Sequence, residues 1–330
     1  MRIGIMHRYP LKQIKETNAS INFLIDRIKK EGHTVDVLTF KKFDRVNSYL
    51  KFWKGLFWIF YAPILLIGKK YDVLYLDDSM PFYGAFVKLV SPKSKVVLRI
   101  GDFHLMYYYS GWAYKFLHFF EKIGWLLADE IVAISEAMAE KICEEVKPHK
   151  VSVVLDPVDP NDFPMAGAGD GSVMFHGTIT RNKNLDLLIE AAYLLPKVDF
   201  VIIGDGPDLK RLKKFAPDNV FFDGWIPFKD VWKKISKCSI GVALRSDNPG
   251  NEYVVTSPFI QYGIIGKPCL VTKRKVFGNY HWQFSTARQM ADKIEDLLTA
   301  EIDSKGLREL FIRRHGAEKI AEEIWALLQA

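Results

Sequence analysis

Short apolar runs rich in β-branched residues alternate with longer segments in which apolar positions recur every three or four residues. Such runs are typical of buried parallel strands, and the amphipathic segments are typical of the helices that cover them. In the first half of the chain the pattern predicts strands at 2–6, 34–40, 73–76, 95–100, 130–134 and 151–155. Helices are predicted between them, including 20–31 and 135–146, the second opened by Ser135 as N-cap.

The second half repeats this alternation. It predicts strands at 172–176, 199–203, 220–222, 240–244 and 269–272, with helices at 185–195, 207–215, 229–237, 257–265 and 286–300. Between the two series, residues 156–171 are dense in Pro and Gly, which interrupt regular structure. We therefore expect an α/β protein of two Rossmann-like, doubly wound parallel-sheet domains that face each other across a ligand-binding cleft. The predicted domains are 1–158 and 159–306, followed by a C-terminal helix at 307–330.

Composition agrees with a globular protein, because 49% of the 330 residues are apolar and 26% are charged. The three cysteines, Cys143, Cys238 and Cys269, are far apart and form no C-x-x-C pair. This spacing argues against a zinc clamp and against disulfide exchange. The first residues, MRIGIMHRYP, show no apolar core of a secretory signal, so we expect a cytoplasmic protein.

The positive charge is concentrated near the N-terminus, where residues 1–70 hold fourteen Lys and Arg against five Asp and Glu. Within this region, at 48–70, an apolar run is bracketed by Lys51, Lys54, Lys69 and Lys70. The run is shorter than the about 20 apolar residues that a membrane span needs. It is compatible with a helix lying on an anionic membrane surface, and equally with a helix packed on the N-terminal sheet. No nucleic-acid-binding motif accompanies the lysines.

Candidate anion-binding residues follow the first strand of the second half. The strand ends at Gly177 and continues through the loop TITRNKN into a helix. Backbone amides, Arg181 and Lys183 could converge there on a phosphate. A solvent-facing turn with two cations that bind no ligand would show the same sequence pattern.

The next strand ends in the turn formed by Gly204, Asp205 and Gly206. Glycines permit a tight turn with its backbone exposed to a ligand. The dinucleotide-binding fingerprint G-x-G-x-x-G is absent, because Leu209 occupies the position of its third glycine. A nicotinamide-dependent enzyme is therefore disfavoured.

A polar loop containing Glu252 precedes the predicted helix at 257–265, for which Ser257 is the expected N-cap. The free amides and partial positive charge of a helix N-terminus suit a diphosphate.

Several motifs in this order resemble the donor-binding domain of family 4 glycosyltransferases and their GT-B relatives. They are ADEIVAISEAMAEKI (128–142), KVSVVLDPVD (150–159), HGTITRNKNLDLLIEA (176–191), VIIGDGPDLKRL (201–212), NVFFDGWIP (219–227) and the closing GKPCLV (266–271). Agreement is weaker toward residue 1, where 26–40 resembles the first β–α–β unit. The resemblance implies the GT-B fold, with the final helix crossing back onto the first domain.

The same resemblance assigns roles to the donor-site candidates. Lys183 stands where the family grips the donor diphosphate, and 204–207 is the glycine turn near the donor. Thr178 replaces the family's usual arginine, so Arg181 would substitute for it. Of the family's two glutamates eight residues apart, the second, which binds the ribose, is Gln261 here, an amide without the charge of a carboxylate.

At the first of those two positions stands Tyr253, with Glu252 one residue out of register. In the first half, the resemblance places an acceptor-facing acid or imidazole after the strand at 95–100, where Asp102 and His104 occur. They could orient an acceptor hydroxyl or move its proton, or they could cap neighbouring helices. For Asp77 and Asp78, which follow the strand at 73–76, capping is the preferred interpretation.

The implied function is transfer of a hexose from a nucleotide-diphosphate sugar to an acceptor hydroxyl, with retention of configuration and without a metal. The acceptor is a glycan, lipid or small molecule, and a membrane-associated acceptor would fit the segment at 48–70 and a peripheral location. Two alternatives remain, a nucleotide-sugar epimerase and a non-catalytic nucleotide-sugar-binding protein. No nucleic-acid partner is expected.

Overall fold

The structure is a computed structural model that describes residues 1–7, 19–39, 64, 66–77, 84–147 and 150–330. These residues form two compact units. The first comprises Met1–Pro157, Glu252–Val254 and Ala317–Ala330, and the second comprises Val158–Asn251 and Val255–Gly316. The chain passes from the first unit to the second within the Pro- and Gly-rich segment, between Pro157 and Val158.

The first unit is built on a parallel sheet in the order β2-β1-β3-β4-β5-β6. Its strands are β1 (Arg2–His7), β2 (Thr34–Thr39), β3 (Val73–Asp77), β4 (Lys95–Ile100), β5 (Glu130–Ala133) and β6 (Val151–Val153). The central strands are buried along their length because helices cover both faces of the sheet.

The described helices of the first unit are α1 (Ala19–Lys30), α2 (Gly84–Val90), α3 (His104–Tyr108), α4 (Gly111–Leu127), α5 (Glu136–Glu145) and the last helix, α12 (Ala317–Gln329). Helices α1 and α12 pack on the same face of the sheet, where Ile21 and Leu24 share a core with Ile320 and Trp325. Ser135 is the N-cap of α5 and accepts a hydrogen bond from the Met138 amide, as predicted.

The second unit contains a parallel sheet in the order β12-β11-β10-β7-β8-β9. Its strands are β7 (Val173–His176), β8 (Phe200–Ile203), β9 (Val220–Gly224), β10 (Ile240–Ala243), β11 (Cys269–Thr272) and β12 (Gln283–Phe284). Its described helices are α6 (Asp186–Leu194), α7 (Leu209–Leu212), α8 (Phe228–Ile235), α9 (Ser257–Ile264), α10 (Ala287–Thr299) and α11 (Ser304–His315).

The two parallel sheets with flanking helices confirm the predicted α/β class and doubly wound topology. The predicted strands occur with their ends shifted by no more than two residues, whereas the two-residue strand β12 was not predicted. The helix predicted at 207–215 is reduced to the single turn α7, because its C-terminal residues continue as turns toward Pro217.

The predicted terminal helix at 307–330 is two helices that belong to different units. Gly316 separates them with an extended conformation. Helix α11 stays in the second unit, where the Phe311 ring fills the space beside Gly263. Only α12 lies in the first unit. The apolar face that the sequence shows across 311–328 is therefore divided between two cores.

The segment at 48–70, including Lys51 and Lys54, lies outside the described residues except for Ile64 and 66–70, and Asp78 lies outside them as well. Within the described part of the chain, no helix combines the length and the apolar character needed to cross a bilayer.

Candidate functional site

In the second unit, β7 lies between β8 and β10, so the chain order reverses there. In open parallel sheets, ligands bind outside the carboxyl ends of the strands at such a switch point. The residues that follow β7, β8 and β10 are therefore the first place to look for a ligand-binding site. They include most of the candidates that the sequence singled out.

The loops after β7 and β8 are packed backbone against backbone. The amide of Gly177 donates to Ile203 O and the amide of Ile179 donates to Asp205 O, both at 2.9 Å. A Cβ atom on Gly204 would lie 1.9 Å from Gly177 O, and one on Gly206 would lie 2.1 Å from Ile179 O. The close approach of the loop after β7 therefore leaves no room for a side chain at either position. Asp205 caps the same turn by accepting from the Gly206 amide at 2.7 Å.

The loop after β7 contains a short 3-10 helix, Arg181–Lys183, which ends at Asn184 in the left-handed conformation, with φ 49°. Asn182 ties this loop to the one after β10. Its Oδ1 accepts from the Ser246 hydroxyl at 2.8 Å and from Nδ2 of the fully buried Asn251 at 2.9 Å. The two loops that flank the switch point are therefore held together by partly buried polar groups.

His176, the last residue of β7, is buried and joins this strand to α9. Its Nε2 lies 2.6 Å from Gln261 Oε1, and its Nδ1 lies 3.0 Å from the Tyr262 hydroxyl. Tyr262 donates to Met174 O at 2.7 Å. Burial, with a smaller contribution from the charge of Lys183, lowers the pKa of His176 to about 4, although the hydrogen bond with Gln261 opposes this shift. The imidazole is thus neutral at pH 7, and the Lys183 ammonium is near enough to affect it.

Arg181 and Thr178 extend from the same loop, and both side chains are exposed. The Arg181 guanidinium is 70% exposed, and its Nε lies 3.1 Å from Asp208 Oδ1. Asp208 is also held by Arg211, whose hydrogen bonds to it lower the pKa of the carboxyl. Arg181 therefore lies at the rim of this region, whereas Lys183 lies within electrostatic reach of the buried imidazole.

Helix α9 begins at Ser257, but Thr256 occupies the N-cap position and Ser257 is exposed. The Thr256 side chain caps none of the helix amides. Its Oγ1 is buried without a hydrogen-bond partner among the described residues. Ser257 as N-cap was therefore a wrong prediction, because the extended residue that precedes the helix is Thr256. The Thr256 hydroxyl, which has no hydrogen-bond partner among the described residues, therefore lies at the positive N-terminal end of α9.

Glu252 and Tyr253, which the resemblance aligned with donor-site positions, belong to the first unit. The Tyr253 ring meets Phe103 edge to face, with centroids 5.1 Å apart. The Tyr253 carbonyl accepts from the Ser135 hydroxyl at 2.7 Å. Tyr253 therefore packs on the first unit's core, and its role in donor binding stays a prediction.

The carboxyl edge of the first sheet holds a buried charged cluster centred on Arg99. Its guanidinium reaches Asp77 Oδ1 at 3.2 Å and Asp156 Oδ1 at 2.5 Å. Asp77 is also bonded by the Tyr75 hydroxyl and lies 3.6 Å from His7 Nε2. Asp77 is thus an ion-pair partner of Arg99, a role that differs from the helix capping preferred from the sequence.

Asp102 and His104 stand at the same edge, in the turn after β4 and at the start of α3. Both are half-buried. Near them, Glu121 is buried, and its Oε2 lies 2.6 Å from His118 Nδ1. Burial raises the pKa of Glu121, while His118 and the charge of His104 lower it. His104 thus lies within electrostatic reach of a buried carboxyl.

Several residues of these sites were not predicted, namely His176, Asn182, Asn251 and Thr256. The sequence carries a weak signal for the first, since a histidine at the end of an apolar strand is unusual. It carries none for the asparagines, whose pairing joins residues 69 positions apart. No group of three His, Cys, Asp or Glu side chains suited to a metal ion occurs within the described ranges.

Residues 19–162 match the family model described as Glycosyltransferase Family 4, and residues 170–300 match the one described as Glycosyl transferases group 1. No curated protein matches the chain significantly.

Solved structures share the fold. The Anabaena HepE structure in complex with UDP and glucose is 13% identical, with full coverage of both chains and a TM-score of 0.71. The sucrose-phosphate synthase from Thermosynechococcus elongatus is 13% identical over 100% of this chain and 98% of its own, with a TM-score of 0.77. The lipopolysaccharide outer core galactosyltransferase WaaB, in apo form, is 14% identical over 100% and 99%, with a TM-score of 0.70.

Proposed function

We propose that this chain, which is a family 4-like glycosyltransferase with the GT-B fold, transfers a hexose from a nucleotide-diphosphate sugar to an acceptor hydroxyl with retention of configuration. The donor is held at the carboxyl edge of the second sheet. The similar Anabaena structure contains UDP and glucose, which supports a nucleotide-sugar donor.

One observation carries the proposal. At the switch point of the second sheet, the buried His176 ring holds the amide of Gln261, the Lys183 charge acts on that ring, and α9 begins four residues before Gln261. A cation, a helix N-terminus and a positioned amide suit the two polar parts of such a donor. The diphosphate needs positive charge, and the ribose needs a hydrogen-bonding partner.

These groups also suit the chemistry. Sugar transfer releases a nucleoside diphosphate, so negative charge grows on the leaving oxygen in the transition state. Lys183 and the amides at the start of α9 stabilise that charge, and Arg181 contributes from the rim if it exchanges Asp208 for a phosphate. Thr256 Oγ1, buried and unbonded, is a further donor for a phosphate oxygen. The reaction in this proposal uses no metal.

On the acceptor side, Asp102 and His104 orient the attacking hydroxyl or accept its proton. The buried Glu121 carboxyl near His104 stabilises the imidazolium that would form. The acceptor is a glycan, a lipid or a small molecule. A lipid-linked or membrane-associated acceptor, with the protein peripheral on the inner face of the cell membrane, fits the basic N-terminal region best.

The test compares nucleotide-sugar binding and turnover for the purified protein and the Lys183→Ala variant. We expect Lys183→Ala to weaken donor binding about tenfold or more, because a charge-assisted contact is lost. Lys197→Ala, which removes an exposed lysine of the same unit, is the control and should leave binding unchanged. Equal binding by both variants would contradict the role of Lys183.

Product analysis with donor alone separates the remaining functions. Release of free sugar or transfer to an added acceptor supports the transferase. Formation of an epimeric nucleotide sugar would make the protein an epimerase. Tight donor binding without turnover with any acceptor would make it a binding protein, a function consistent with Gln261 and Thr178 in place of charged residues.

A further inference from the structure

Helix α4 exposes a continuous apolar stripe on the surface of the first unit. Trp112, Phe116, Phe119 and Leu126 are 73%, 42%, 59% and 45% exposed. Their spacing of four, three and seven residues places them on one side of a helix. The opposite side, with Leu117 and Trp125, packs into the core. Over 14 residues the stripe is about 21 Å long.

Further apolar side chains are exposed where the chain enters the sheet. Ile67 precedes β3 and is 70% exposed, and Leu89, at the end of α2, precedes β4 and is 65% exposed. Leu126 precedes β5. Because β3, β4 and β5 are parallel neighbours, the segments that enter them meet at one edge of the sheet. The stripe of α4 therefore continues into a wider apolar patch.

The exposed charges that accompany this patch are mostly positive, and the exposed acid among them, Asp72 before β3, accepts a hydrogen bond from the Arg2 amide. Lys115 is exposed within the stripe, and Lys69, Lys70 and Lys93 are exposed in the segments that enter the sheet. The one acid of α4, Glu121, is buried against His118.

Asp129, just after α4, is engaged by Lys88 at 2.5 Å. The patch thus combines exposed aromatic rings with an excess of exposed cations.

We infer that this face of α4, formed by Trp112, Lys115, Phe116, Phe119 and Leu126, docks on an anionic lipid surface. Aromatic and aliphatic side chains enter the headgroup boundary while lysines contact anionic headgroups. A second copy of the chain is less suitable, because a two-fold contact would bring surfaces of the same charge together. The inference deepens the proposed membrane-associated acceptor and names a surface for it.

The experiment measures co-sedimentation of the full chain with vesicles of phosphatidylcholine alone and of phosphatidylcholine with phosphatidylglycerol. We expect binding to the anionic vesicles and little binding to the neutral ones. The double variant Phe119→Ser with Leu126→Ser should weaken binding about tenfold or more, because two apolar side chains no longer enter the boundary. Lys115→Gln should weaken it by a smaller factor.

The chain offers a matched control in the second unit, where Phe215 and Leu194 are 60% and 43% exposed. Phe215→Ser with Leu194→Ser removes the same side-chain types at nearly the same exposure and should leave vesicle binding unchanged. Equal loss in both double variants, or none in either, would overturn the inference.

Two further outcomes would also overturn it. One is wild-type protein that stays in the supernatant with anionic vesicles. The other is a dimer in sedimentation velocity that the α4 variant dissociates, which would assign the patch to a second copy.

Turnover of a soluble donor is measured for every variant and should be unchanged, because the α4 face holds no proposed donor-site residue. Failure of vesicle binding with turnover intact would remove the docking surface and leave the proposed transferase standing.

Discussion

His176 Nε2 lies 2.6 Å from Gln261 Oε1, so a buried imidazole at the end of β7 fixes an amide on α9. A neutral ring has one N–H, and the Tyr262 hydroxyl on its other side donates to Met174 O. The Gln261 amide can form a hydrogen bond with Nε2 whether or not that nitrogen carries the proton, because its oxygen accepts and its NH2 donates. A carboxylate can only accept, which gives a physical reason for glutamine where the family resemblance places a glutamate.

The neutral state of His176 makes stability depend on pH. Its pKa is about 4 in the folded protein and about 6.5 in an unfolded chain, so as pH falls the unfolded chain gains a proton first. We expect the free energy of unfolding to drop by about 2 kcal/mol from this group between pH 7.5 and pH 5. Urea unfolding at the two pH values measures the drop.

The His176→Asn variant should lose this pH-dependent part of the free energy of unfolding. The His281→Asn variant, at an exposed position of the same unit, should keep it. Gln261→Glu should reduce it as well, because a carboxylate against the ring raises the pKa of His176. An unchanged pH dependence in His176→Asn would contradict the assignment.

The glycine turn after β8 should tolerate no side chain. Gly204→Ala and Gly206→Ala each place a Cβ within about 2 Å of a backbone oxygen, so the paired loops must separate. We expect a loss of about 2–4 kcal/mol of stability in urea unfolding, with weaker donor binding. Gly171→Ala is the control, since Gly171 also has a positive φ of 87° but has open space around it. It should cost about 1 kcal/mol. Equal losses at the three positions would mean that backbone strain, and not the clash, is decisive.

The Arg99–Asp77 pair should be sensitive to removal of one partner. Arg99→Met leaves the buried Asp77 carboxyl without its cation, and we expect a loss of about 3–5 kcal/mol in urea unfolding. Adding Asp77→Asn to Arg99→Met should recover part of the lost stability. Arg2→Met breaks the exposed pair with Asp36 and should lower stability much less than Arg99→Met, because solvent screens the exposed charges. A small effect of Arg99→Met would show that Asp77 is stabilised by other groups.

In the proposed mechanism, Lys183 and the start of α9 supply the positive charge at the leaving diphosphate, so we expect sugar transfer not to depend on a divalent cation. Turnover in excess EDTA should stay within about twofold of its value without chelator. A large loss in EDTA that Mg²⁺ or Mn²⁺ reverses would contradict the metal-independent mechanism.

The strands and most helices were predictable because their apolar positions follow the periods of buried strands and amphipathic helices. The break at Gly316 was not, because the apolar pattern of 311–328 continues across it and does not show which core each part enters. For the same reason, the sequence did not show that Tyr253, a predicted donor-site residue, packs on Phe103 in the first unit.

By itself, the sequence determined two parallel α/β units, the order of their strands along the chain, and the position of a glycine turn, a lysine and a helix start after successive strands. These depend on local periodicity and on residues close in sequence. Only the tertiary structure decided that His176 holds Gln261, that Asn182 joins Asn251, and that Gly204 and Gly206 face the backbone of another loop. Each of these contacts joins residues from different strands, helices or loops. They come together through sheet order and loop packing, which local sequence patterns do not encode.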